Sequence, residues 1–502
     1  MSLLQAFAAK AGTSTRLGRK ALTALLATVP LSFLGCLGGP AITEVSPARV
    51  SARGGESVTL RGSGFGAGST VRLGNEHVSK PKVVSSEEIR FTTPPLFAGP
   101  TTVVVTTEAG ETAELSDGLD VLPLDLRFRE APPYALPAES DGLVGAALDD
   151  FDGDGDPDVI TCAKGAACHL LRNDGRGNFV DTPEGKGGDP RFPEGTPDTR
   201  VVAAADFDGD GAVDLFLGLG TSGPGVVLRN DGSAMFTDAG PEVLPEGADP
   251  VTAVAVGDLD GDGLPDLVIG NDTADTVPLR VYLNISKGDA ISFEAAKEGT
   301  IPERDWAVSA IGIADVDADG VLDLLIATPG AADGVPLRLL LGGDHGFEEA
   351  SDRLPDGTSG AVTAFAAGDV NGDGAVDVVA VGNGQDRLLI NDGTGHFFDA
   401  TFSSMPLDAA SGTSVVLVDL DRDRDLDLVI GNAGGATRLY LNDGTGRFVD
   451  HTPVLPIHAD AAVWLAAADV DGDADQDLVI LNASPAQARL YLSVEPSIHD
   501  AQ

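Results

Sequence analysis

One pattern recurs seven times along this chain: D-x-[DN]-x-D-x-x-x-D, beginning at Asp150, Asp206, Asp258, Asp315, Asp369, Asp419 and Asp469, at intervals of 50 to 57 residues. A repeat of that length is one supersecondary unit, which buries its apolar face only by stacking on its neighbours. The second part of the chain is therefore an array or a ring of like units.

Alternate positions of a tight loop converge on one point. The side-chain oxygens of the first place are joined there by those of the third place (Asp152, Asp208, Asp260, Asp317, Asn371, Asp421, Asp471). The fifth place adds Asp154, Asp210, Asp262, Asp319, Asp373, Asp423 and Asp473, and the ninth adds Asp158, Asp214, Asp266, Asp323, Asp377, Asp427 and Asp477. The seventh place would contribute its backbone carbonyl, from Asp156, Ala212, Leu264, Val321, Ala375, Asp425 and Asp475. An all-oxygen set of this size suits calcium, which accepts flexible cages, better than magnesium, which demands an octahedron. Up to seven calcium sites are expected.

One aspartate-rich turn is ordinary turn chemistry; seven in register are not. Five loops carry glycine at the sixth place (Gly155, Gly211, Gly263, Gly320, Gly374), where the sharp turn needs it. Arg424 and Ala474 replace it in the last two, and Arg422 adds a further positive charge to the sixth loop. The sixth is the weakest of the seven candidates.

Each repeat reads as four strands: a small-residue run (Val201–Ala205, Thr252–Val256, Ala310–Ala314), the metal loop, an apolar strand, and then a third and a fourth strand. Small residues suit the innermost strand, where units crowd around an axis. Asn-Asp-Gly turns at Asn173, Asn230, Asn391 and Asn442 join the third and fourth strands. The fourth strand carries Phe179, Phe236, Phe293, Phe347, Phe397 or Phe448 with an acid close behind, and the last repeat lacks it. An extra copy, Phe128-Arg129-Glu130, precedes the first loop. The start of the array can thus complete its last unit, leaving no bare strand edge and predicting a single seven-bladed β-propeller over residues 124–502.

Residues 40–122 alternate short β-type runs with Gly and Pro turns, which implies a small β-sandwich. Ahead of it, a basic stretch (Arg16–Lys20) precedes the apolar run Ala21–Gly35, too short for a membrane span and consistent with a secretory signal over residues 1–36. Cys162 and Cys168 flank a tight turn between strand-like runs; in an oxidising compartment a disulfide is favoured over a metal site.

Net charge is −46, with 78 acidic against 32 basic residues. That field repels phosphate backbones and anionic lipid, which excludes nucleic acid as a partner and favours divalent cations. Hydrophobic residues make up 42% of the chain and Gly numbers 64, which suits a folded all-β protein rather than a disordered one.

The loops and their flanks, as in Gly257-Asp258-Leu259-Asp260-Gly261-Asp262-Gly263 followed by Asp266-Leu267-Val268-Ile269-Gly270, resemble FG-GAP or VCBS repeats and the calcium-bearing blades of integrin α-subunits. Ile42 to Pro47, Gly54-Gly55, Leu60 to Phe65 and Thr93-Pro94 resemble the IPT/TIG family, which implies an immunoglobulin-like sandwich acting as a spacer or protein-binding unit. Phe33-Leu34-Gly35-Cys36 resembles a bacterial lipoprotein signal, which implies lipidation of Cys36 and an outer-membrane or cell-surface location. Cleavage without lipidation, giving a periplasmic or secreted protein, is the alternative.

The function expected is a non-enzymatic surface module recognising a protein or glycan, with any membrane contact through the lipid anchor. A lectin or polysaccharide lyase on the same propeller is the alternative, since some lyases use related calcium-bearing propellers. No nucleophile elbow, paired-His zinc motif or phosphate loop occurs, and His77, His169, His345, His396, His451, His458 and His499 are scattered. Trp306 is the candidate sugar platform, while Trp464 reads as core. Extra length at Pro183–Arg200, Asn271–Pro278 and Pro329–Pro336 falls on the face opposite the loops, either as a partner face or as tolerated insertion.

Overall fold

The computed structural model describes residues 39–494 except 133–142, 165–167, 182–190, 194–197, 221–222, 224, 248–249, 272–276, 298, 303–305, 329–334, 344, 356–360 and 485. The leader with Cys36 and most of the three insertions lie outside the described residues.

Two sheets form the N-terminal module. Ala41–Ser46, Ser57–Ser63, Glu88–Thr92 and Lys82–Ser85 pair in that order in one, and Arg49–Ser51, Thr112–Leu122, Gly99–Thr106, Thr70–Leu73 and Glu76–His77 in the other. Alternation along the strands turns Val58, Leu60 and Ile89 of the first sheet inward against Val71, Leu73, Val103 and Val105 of the second, all at most 1% exposed.

Among the described residues the remaining strands make seven four-stranded sheets, each antiparallel throughout. In the second blade Thr199–Ala205, Asp214–Leu219, Val226–Asn230 and Phe236–Asp238 run from axis to rim. The inner strand is built of small residues and is half-buried, while the second strand is buried along nearly its whole length because blades cover both its faces. The seventh sheet takes its outer strand from the start of the array, Phe128–Glu130 pairing with Ala486–Ser493 in the register Phe128↔Ser493 and Glu130↔Tyr491. The Glu130 carboxylate holds the closure through Arg489 Nη1 at 2.5 Å and His458 Nε2 at 2.9 Å. The chain is an all-β sandwich followed by a closed seven-bladed propeller.

Apolar clusters fill the seams between blades; that between the first two contains Phe151, Ile160 and Leu170 from one side and Leu215, Leu217 and Phe236 from the other. Inner-strand hydroxyls add a polar stitch, Thr363 Oγ1 donating to the Gly412 carbonyl at 2.6 Å and Thr413 Oγ1 to that of Ala462 at 2.6 Å. The cluster between blades six and seven runs on through the buried linker residues Leu124 and Leu126 into the sandwich core. The two modules therefore share one hydrophobic core.

Candidate metal centres

All seven loops are folded by their own carboxylates. Asp206 Oδ1 accepts the N–H groups of Gly209 at 2.7 Å and Asp210 at 3.1 Å, and its Oδ2 accepts that of Gly211 at 2.9 Å. Asp150, Asp258, Asp369 and Asp469 make the same three bonds. The fifth-place carboxylate in turn accepts the seventh-place N–H, as Asp262 does from Leu264 at 2.9 Å. The turn requires left-handed backbone at the sixth place, with φ from 86° to 94° at the five glycines. Arg424 at 77° and Ala474 at 73° adopt it too, and at the fourth place Arg422 is likewise left-handed at 62°, so the departures from glycine change the strain and not the loop.

The ninth aspartate ties loop to blade. Asp214 Oδ2 accepts the N–H of Phe207 at 3.0 Å and Oδ1 that of Asn230 at 2.7 Å, and Asp266, Asp323, Asp377, Asp427 and Asp477 repeat both bonds. These carboxylates are 0–1% exposed. Burial, only partly offset by those hydrogen bonds, pushes them up to about 6 at Asp266, Asp323 and Asp377, about 7 at Asp158, Asp214 and Asp427, and about 8 at Asp477.

Carboxylate oxygens of Asp150, Asp152 and Asp158 lie within 4.8 Å of one another, as do those of Asp206, Asp208 and Asp210, of Asp258, Asp260 and Asp262, of Asp315, Asp317 and Asp323, and of Asp419, Asp421 and Asp427. Loop carboxylate oxygens are buried without a hydrogen-bond partner at Asp152 Oδ1, Asp158 Oδ2 and Asp317 Oδ1 of these groups, and at Asp471 Oδ1 in loop seven. A buried carboxylate oxygen with nothing to bind is costly, and a cation at the point of convergence would relieve it. The donor set is all oxygen, which fits a hard divalent ion.

The loops are not equivalent. Arg229 Nε and Nη2 each lie 2.6 Å from a carboxylate oxygen of loop two, on Asp208 and Asp210 respectively, and Arg172 Nε lies 2.5 Å from Asp152 in loop one. Loop six, marked as weakest for its arginines, brings three carboxylates together, and the arginines lead elsewhere: the Arg424 guanidinium lies 5.2 Å over the Phe97 ring and Arg422 Nε lies 3.5 Å from Asp475 Oδ1 in loop seven. The sandwich module docks on these two loops. Arg53 pairs with Asp475 and, at 2.8 Å, with Asp473, while Ala98 N–H donates to the Arg422 carbonyl at 2.6 Å and Leu124 N–H to that of Asp421 at 2.8 Å.

Other residues gain a role that the sequence hid. The Asn opening each Asn-Asp-Gly turn sends its Nδ2 to the second-place carbonyl of the preceding loop: Asn173 to Val470, Asn230 to Phe151, Asn391 to Val316 and Asn442 to Val370, at 2.7–2.8 Å, with Asn284 reaching Phe207 at 2.9 Å. Turn and loop thus share one face, and each such Asn clasps two blades. Trp306 is corrected: at 4% exposure it is core, with the Arg338 guanidinium 4.2 Å from its ring, because the seam between blades three and four closes over it. Cys162 and Cys168 are joined by a disulfide with Cα atoms 4.2 Å apart.

The family model described as FG-GAP-like repeat matches residues 150–217, 206–269, 258–326, 315–380, 369–430 and 419–480, and the IPT/TIG domain model matches 40–120. No curated protein matches the chain. Among solved structures, an Agrocybe aegerita lectin that recognises non-reducing terminal N-acetylglucosamine aligns at 16% identity over 87% of this chain and 97% of its own, with a TM-score of 0.41. An auxiliary nutrient binding protein from Bacteroides ovatus aligns at 11% identity over 91% and 99%, with a TM-score of 0.37. The computationally designed Ika8 protein aligns at 13% identity over 71% and 98%, with a TM-score of 0.41. With six overlapping matches spanning residues 150–480 of 502, and an IPT/TIG domain ahead of them, the chain belongs to the FG-GAP-like repeat family.

Proposed function

We propose that this protein is an exported, calcium-stapled, non-enzymatic binding module, anchored through lipidated Cys36 and presenting its propeller to a protein or glycan at the cell surface. The observations that carry the reading are the convergence of carboxylates in the loops and, in loops one, four and seven, buried carboxylate oxygens with no hydrogen-bond partner. Each loop sits where its blade meets the next, so an ion bound there fixes both. A site with a dissociation constant near roughly 0.1 mM, in about 1 mM external calcium, contributes about 1.4 kcal/mol. Several such sites rival the stability margin of an ordinary domain. Calcium is then a structural element and the recognition surface is protein.

Isothermal titration of the chelator-treated chain with calcium and with magnesium tests this. Five or more calcium ions bound, and magnesium failing to compete at equal concentration, are expected; a count of none would remove the reading.

A further inference from the structure

Five of the seven seams are closed by an Asn side chain reaching the second-place carbonyl of the preceding loop. At the seam of blades six and seven Ser493 takes that place, and the linker closes the seam with Leu124 N–H on the Asp421 carbonyl at 2.8 Å. At the seam of blades three and four the place is Gly342, followed by Gly343, and neither has a side chain to reach the Leu259 carbonyl. A cavity of about 750 Å³ opens there, lined by Leu259 itself and by Gly342 and Gly343.

Its walls are of two kinds. Leu283, Val321 and Phe347, all half-buried, offer an aliphatic and aromatic surface. The rim is polar and carries both signs, with Glu294 as acceptor and Lys297 as donor beside His345, all exposed, next to the third metal loop at Asp260. The rim is itself held in place: Phe347 N–H donates to the Thr300 carbonyl at 2.7 Å, and Thr300 N–H to that of Lys297 at 3.0 Å.

An anion would face the Glu294 carboxylate in a chain of net charge −46, and an apolar ligand would strip water from charged groups without replacing it. A bare cation has no use for the apolar wall. A pyranose ring has a C–H face for the wall and hydroxyls that both donate and accept for the rim, and the volume lies within the range of small-molecule sites.

We infer that the cleft between blades three and four, opened by the glycine pair that replaces the blade clasp, is a binding site for a neutral saccharide unit. This rests on the binding-module reading and names its ligand class and place.

The test is saturation-transfer NMR of the calcium-loaded chain with the methyl glycosides of glucose, galactose, mannose, fucose, N-acetylglucosamine and N-acetylgalactosamine. Two variants accompany it, Gly343→Trp and Lys297→Ala. A side chain at residue 343 is sterically free, because a Cβ there meets nothing nearer than the Gly346 carbonyl oxygen at 3.8 Å. At least one glycoside is expected to show transfer, and both variants to weaken it about tenfold or more, with melting temperature and calcium count unchanged. Transfer from none of the six, or transfer that both variants leave intact, would overturn the site. The calcium count, read on the same samples, reports separately on the module.

Discussion

Asp214, Asp266, Asp323, Asp377, Asp427 and Asp477 each hold two backbone N–H groups while belonging to a candidate metal cage, so they serve the fold whether or not an ion is present. Their acidity carries a prediction. In the metal-free folded chain these groups are raised to about 6–8, against about 3.9 when unfolded. The folded state therefore binds more protons than the unfolded one between those values, and stability falls as pH rises through the folded range. In chelator, the melting temperature is expected to be higher at pH 5.5 than at pH 8. Saturating calcium should reverse that slope, since the ion requires the ionised form and its contribution is lost as pH falls through the same window. Parallel slopes with and without calcium would contradict the assignment. The positions of these aspartates were legible in the pattern; their backbone bonds were not, because the third strand that supplies one N–H lies 14 to 19 residues further on.

At the scale of elements, the strand order, the small inner strands and the closure by Phe128 followed from spacing alone, since only one partner was missing a strand and only one strand was spare. The blade clasp did not. Asn-Asp-Gly is a complete turn signature in itself, and nothing local distinguishes an Asn that merely turns the chain from one whose amide crosses to the next blade. Asn391 donates to the Val316 carbonyl at 2.7 Å and to that of Val376 at 3.0 Å, and its Oδ1 accepts from Gly393 and Gly395 at 3.1 Å. Asn391→Ala strands these buried groups and is expected to cost about 1–3 kcal/mol. The loss should be as large in chelator as in calcium, with the ion count intact. Denaturant unfolding of the variant in both conditions checks this, and a loss confined to the calcium-loaded protein would make the Asn a metal-site accessory instead.

For the whole molecule, the sequence separated a sandwich from a propeller and said nothing of how they meet. The Arg53–Asp473 pair spans 420 residues, and contacts between two folded surfaces leave no periodicity to read. The two arginines that made loop six look poor as a metal site are docking residues: the strained backbone of Arg422 presents its carbonyl to Ala98, and Arg424 covers Phe97. Arg53, 18% exposed as a side chain, faces the wholly buried side chain of Asp475. Arg53→Ala leaves that carboxylate to Arg422 alone and is expected to loosen the docking. A larger radius of gyration by small-angle X-ray scattering and faster proteolysis near residues 122–124 would be its marks, and an unchanged scattering profile would count against the docked arrangement. If calcium holds the ring, thermal unfolding of the chain lacking residues 1–36, in excess chelator and then in millimolar calcium, will show it. A rise in melting temperature specific to calcium over magnesium is predicted, while identical melting curves would reduce the seven aspartate loops to solvated turns.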